Sequence, residues 1–97
     1  VREDILRLSL DLGAEVLDNE SIKIVGPSGT TYLVSPPDQT PYPADGHVPV
    51  KQINDDGLRK SISIVCHSPD PWVRMASVIL ALSQDQTTSA MVSTLCT

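Results

Sequence analysis

Two strand-forming runs flank one turn, and that pairing constrains this chain more than any other feature. Ile22-Lys23-Ile24-Val25 alternates apolar with polar, Gly26-Pro27-Ser28-Gly29 supplies turn chemistry, and Thr30-Thr31-Tyr32-Leu33-Val34 is β-branched and aromatic. The pattern predicts an antiparallel hairpin. The same turn superficially suggests a phosphate loop, but it lacks the lysine of a P-loop and leads into a strand rather than a helix.

A length of 97 residues leaves room for one small domain. Its aromatic fraction is 3%, confined to Trp72, Tyr32 and Tyr42, so the core has to be built from Ile, Leu and Val. Twelve acidic residues stand against seven basic ones, for a net charge of −5. That balance disfavours a strongly basic nucleic-acid binder, and the shortage of aromatics disfavours a stacking platform for single strands. Two cysteines are too few for a disulfide scaffold. Cys66 and Cys96 are expected as reduced thiols in a cytoplasmic protein. The densest apolar stretch, Val73 to Leu82, is too short to span a bilayer.

Around the hairpin, Arg2 to Leu12 reads as a helix, with Glu3 and Asp4 in its first turn and Gly13 placed to stop it. Glu15 to Asp18 is a candidate start of a strand. Residues 35–46 carry four prolines and are expected to be irregular, either a stiffened connection or a docking loop. His47-Val48-Pro49-Val50-Lys51 resumes extended structure, and Pro49 points to an edge strand. Leu58 to Cys66 fits two patterns. Leu58, Ile62 and Val65 have helical spacing, whereas Ile62, Ile64 and Cys66 alternate as in a strand. Asn54-Asp55-Asp56 resembles a helix cap and tips the expectation towards helix. The clearest helix follows, with Asp70 as N-cap, Pro71 in the first turn, and Trp72, Met75, Ala76, Ile79, Leu80 and Leu82 as its apolar stripe. Thr88 to Leu95 is a weaker helical segment.

Several pieces, taken in order, resemble the HicA family of toxins from bacterial toxin–antitoxin pairs. They are Asp4 to Gly13, then Gly26-Pro27-Ser28-Gly29-Thr30-Thr31-Tyr32, then Val48-Pro49-Val50, and Gly57-Leu58-Arg59-Lys60-Ser61-Ile62. Together they cover about two thirds of the chain. The resemblance implies a fold similar to double-stranded RNA-binding domains, ribonuclease chemistry and a protein partner. It also implies a catalytic histidine after the turn serine, where this chain has Gly29 or Thr30, neither of which can act as a general base. A second family histidine corresponds to Lys51. The resemblance therefore points to a fold kept without its chemistry.

The remaining candidates are weighed from the residues. His47 and His67 are the weak catalytic candidates. Cys66-His67 reads better as a buried thiol beside a solvent-facing ring than as a nucleophilic pair. No metal-ligand spacing is present, and no cofactor is implied. Thr30, Tyr32, Lys51, Arg59 and Lys60 are the candidate RNA contacts, with Asp55 and Asp56 opposing them at the same helix start. Trp72, Met75 and Ile79 are candidates for a partner surface, against the plainer reading of Trp72 as a core anchor.

The expected architecture is α+β: an α-β-β-β-α domain over residues 1–67 with a three-stranded antiparallel sheet, then a helical extension over 68–97. The expected function is non-catalytic binding of a protein partner, or of a second copy as a homodimer, with RNA as a further ligand and no membrane. Two alternatives stand beside it: a small ribonuclease using His47 or His67, and a structural component such as one of a phage particle.

Overall fold

A computed structural model describes residues 2–38 and 45–87. Helix α1 (Arg2–Asp11) leads into strands β1 (Glu15–Val16), β2 (Ile22–Val25), β3 (Thr31–Val34), β4 (His47–Ile53) and β5 (Arg59–Val65), and helix α2 (Pro71–Leu82) closes the order. The strands form one antiparallel sheet in the sequence order β1-β2-β3-β4-β5. The fold is α+β, as expected, but the sheet has five strands rather than three.

Helix α1 ends where Gly13 takes φ +83°, a conformation that side-chain-bearing residues resist. It turns Ile5 and Ser9 inward, and the Ser9 hydroxyl donates to the Ile5 carbonyl at 2.9 Å. The Arg2 guanidinium clasps the Glu20 carboxylate and lies 5.9 Å from the Trp72 ring centroid, tying the start of the chain to the β1–β2 turn and to α2.

The β2–β3 hairpin forms at the anticipated turn, with Gly26 N–H donating to Thr30 O and Gly29 N–H to Gly26 O, each at 2.9 Å. Period-two alternation then directs Ile22, Ile24, Tyr32, Val34, Val48, Val50 and Ile64 to one face. Helix α2 covers that face with Met75, Val78, Ile79, Ala81 and Leu82, all fully buried. Asp70 caps it, Oδ1 accepting the Trp72 N–H at 2.9 Å. Met75 and Ile79 are therefore core residues, inaccessible to a partner. Trp72 is half-buried and packs against the core cluster, which is the anchor reading.

The helix expected over residues 58–66 is strand β5. Asn54 to Leu58 forms the turn before it: Asn54 Oδ1 accepts the Leu58 N–H at 2.8 Å, and Gly57 takes φ +79°. Asn and Asp are favoured at helix caps and at turns for the same reason, so the capping signal is ambiguous, and Asp56-Gly57 is hairpin-turn chemistry that the structure uses. The α-β-β-β-α order that the HicA resemblance implies is thus replaced by two further strands. The edge position expected for Pro49 is also wrong, because β4 lies between β3 and β5. Pro49 is tolerated there because its missing donor faces Ser35, beyond the last β3–β4 pair, Val34↔Val50. Its carbonyl still accepts the Ser35 N–H at 3.2 Å.

Cys66 is fully buried and His67 exposed, as expected. Cys66 is disulfide-bonded, however, and not a reduced thiol. A disulfide does not support the reducing, cytoplasmic setting expected from the sequence. Cys96, the helix expected over 88–95 and the middle of the proline-rich stretch lie outside the described residues.

Candidate functional site

Both helices pack on one face of the sheet, and no described element covers the other. The uncovered face is assembled row by row from the register. Val25, Thr31, Ile53 and Arg59 align across four strands, and Glu15, Lys23, Leu33, Lys51 and Ser61 across five. Alternation places these side chains opposite the core. Val25 is 57% exposed, Lys23, Lys51 and Arg59 are exposed, and Leu33 and Ile53 are half-buried.

Charge on this face opposes that of the whole chain. Its strand residues include three cations, Lys23, Lys51 and Arg59, and one acid, Glu15. The other eleven acids lie on α1, in turns, or flanking α2. At one end of the face, where the β2–β3 and β4–β5 turns approach each other, a depression of about 380 Å³ is lined by Lys23, Ser28, Thr30, Thr31, Ile53 and Asn54 among others. Asp55 contributes one acid to its wall.

The predicted RNA contacts are not brought together. Lys51 and Arg59 share the uncovered face. Lys60 projects from the opposite side of β5, and Thr30 sits at the end of the face in the depression wall, its Oγ1 3.1 Å from Ser28 Oγ within the turn. Tyr32 is only 3% exposed and lies on the core face, apart from Lys51 and Arg59. Its hydroxyl donates to Asp85 Oδ1 at 3.3 Å. Burial, then the nearby Asp85 carboxylate, raise the Tyr32 hydroxyl above the ordinary tyrosine range. Lys23, Leu33 and Ile53 are the face residues that sequence reasoning missed. The register identifies them, and period-two alternation through Tyr32 would have sent Leu33 outward.

His47 stands at the start of β4 with Nδ1 2.9 Å from Asp45 Oδ1. Hydrogen bonds from the His47 ring and backbone hold the Asp45 carboxyl below the usual carboxylate range. His67 is exposed beyond the end of β5. Among the described residues no group of three or more His, Cys, Asp or Glu could hold a metal ion, and no helix is long and apolar enough to cross a membrane.

No protein-family model matches the chain, and no curated protein or solved structure matches it.

Proposed function

We propose that this chain is a small non-catalytic binding module, and that its sheet face opposite α1 and α2 engages a protein partner. The carrying observation is the composition of that face: Leu33 and Ile53 interleaved with Lys23 and Lys51, on a chain whose net charge is −5. An antiparallel sheet with one solvated face normally carries polar residues there. Apolar side chains between cations suit a partner segment with an apolar stripe flanked by carboxylates, because burial supplies affinity while charge sets register and encounter rate. RNA is the lesser ligand, since the candidate contacts are scattered and, among the described residues, no exposed aromatic lies on the face for stacking. The HicA-like descent remains a proposal about origin on which this reading does not depend.

The test uses three probes: an amphipathic helical peptide of leucine and glutamate, its lysine counterpart, and an oligouridylate. The glutamate peptide is expected to bind, and Lys23→Glu with Lys51→Glu to weaken it by about tenfold or more. Tighter binding of the oligouridylate, or indifference to both substitutions, would overturn the reading.

The Asp45–His47 pair favours a second reading, a small ribonuclease, because a carboxylate fixes the imidazole orientation as a general base requires. Replacing His47 and His67 by alanine tests it. RNA cleavage that is present in the parent and lost in the double variant would support it, and cleavage unchanged would remove it.

A further inference from the structure

Among the described residues strand β5 ends the sheet, and its outer edge carries a specific pattern. Cys66 N–H donates to Gly46 O at 2.8 Å and Asn54 N–H to Leu58 O at 3.0 Å. Both pairs continue the β4–β5 register, which fixes the phase of the ladder. In an antiparallel ladder hydrogen-bonded and non-hydrogen-bonded pairs alternate. The even-numbered residues of β5 therefore exchange bonds with β4. The N–H and C=O groups of Arg59, Ser61, Ser63 and Val65 point outward, and no described strand pairs with them. Over Ser61 to Val65 this edge has neither a proline nor a charge, two of the devices by which edges are usually blunted. A depression of about 290 Å³ lies across the β4–β5 pair beside it, lined by His47, Val48, Pro49, Ser61, Ile62 and Ser63.

We propose that β5 pairs with β5 of a second copy, antiparallel and centred on Ile62, joining two five-stranded sheets into one. The edge is self-complementary in the one register that overlaps all seven residues. Arg59 then faces Val65 of the other copy, Ser61 faces Ser63, and both are outward-bonding positions able to exchange main-chain bonds. On the helix side Lys60 faces Ile64, and Ile62 meets its own counterpart on the two-fold axis, as a closed isologous contact requires. No like charges are directly opposed, a juxtaposition that destabilises sheet pairs. Charge also favours a second copy. The cationic start of each β5 lands beside the other copy's Val65, whose β4 neighbour is His47 with the Asp45 carboxylate. Strand spacing puts that neighbour about 10 Å away, two strands over, within reach of an arginine. The contact is distinct from the binding proposed for the sheet face. It would leave that face open and make it continuous across both copies.

Sedimentation of the full chain tests this. An edge of this length buries less than the ~1,200 Å² at the low end of stable interfaces, so the dimer is expected to be weak. The wild-type mass is expected to rise from one chain to two across the concentration range, with non-reducing electrophoresis showing single chains. Ser61→Lys with Ser63→Lys opposes lysines twice across the axis, and Ser61→Glu with Ser63→Glu opposes glutamates. Each double variant should sediment as one chain with an unchanged circular dichroism spectrum, and their mixture should recover the dimer. A wild type that stays at one chain mass up to about 1 mM, a range where even millimolar association would register, overturns the proposal. So does a lysine double variant that still dimerises, or a mixture of folded variants that stays monomeric.

Discussion

The Asp85 carboxylate accepts the Ser28 backbone N–H at 2.6 Å, joining the end of α2 to the β2–β3 turn fifty-seven residues earlier. The same carboxylate accepts from Tyr32 through its other oxygen. Asp85 holds φ +60°, a left-handed conformation that aspartate tolerates better than most residues. Removing the acceptor by Asp85→Ala should cost about 1–2 kcal/mol, the range for a hydrogen bond to a charged group discounted for the exposure of Ser28. Urea denaturation measures it, and an unchanged midpoint would show that the contact contributes nothing.

Gly26 is coupled to that contact. A Cβ at Gly26 would collide with Asp85 Oδ1 and lie 3.1 Å from the Leu82 carbonyl. Gly26→Ala should therefore destabilise the fold, and less so in the Asp85→Ala background. Part of the cost remains there, because the backbone carbonyl stays. A double-mutant cycle reads this as a coupling, and strict additivity would count against it.

Tyr32 makes the fold sensitive to alkali. Its folded pKa is raised, so the neutral hydroxyl is favoured in the native state. The associated stability is present in full below the unfolded value of about 10, and is lost as pH rises through the folded value. Tyr32→Phe should lessen the fall in stability above pH ~10 relative to the parent. Thermal unfolding followed from neutral to strongly alkaline pH tests this against the parent.

Asp45 behaves in the opposite sense. Its folded pKa is depressed, so its contribution is present above the unfolded carboxylate value and lost as pH falls through the folded one. In His47→Ala the Asp45 carboxyl should titrate nearer the ordinary range, as seen by carbon-detected NMR. No movement would remove His47 as the cause.

Ile79→Ala should cost about 2–5 kcal/mol, as expected for a fully buried branched side chain. Trp72 is half-buried and should be less costly per atom removed. A surface role for Ile79 predicts instead near-neutral stability, which chemical denaturation distinguishes.

Elements whose local chemistry agreed with their tertiary role were legible from sequence. Helix α1, the β2–β3 hairpin and the Asp70–Pro71 start of α2 fall where composition and caps place them. Residues 54–66 were not legible, because Asn54, Asp55 and Asp56 serve turns as well as caps, and Ile62 fits both periods. Only pairing with β4 decides between them, and that is a long-range fact. Pro49 misled for a related reason. Its missing donor excludes a ladder bond at one point, not a place inside the sheet. Of the candidate site, Lys51 and Arg59 were legible as cations, but not their alignment with Leu33 and Ile53. That depends on register across three strands.

The sheet face opposite α1 and α2 is the proposed binding surface. Amide chemical-shift mapping with the leucine–glutamate helical peptide tests it most directly. Perturbations centred on Lys23, Leu33, Lys51 and Ile53 are expected, with α1 and α2 unaffected. Perturbations confined to α1 and α2, or none at saturating peptide, would contradict it.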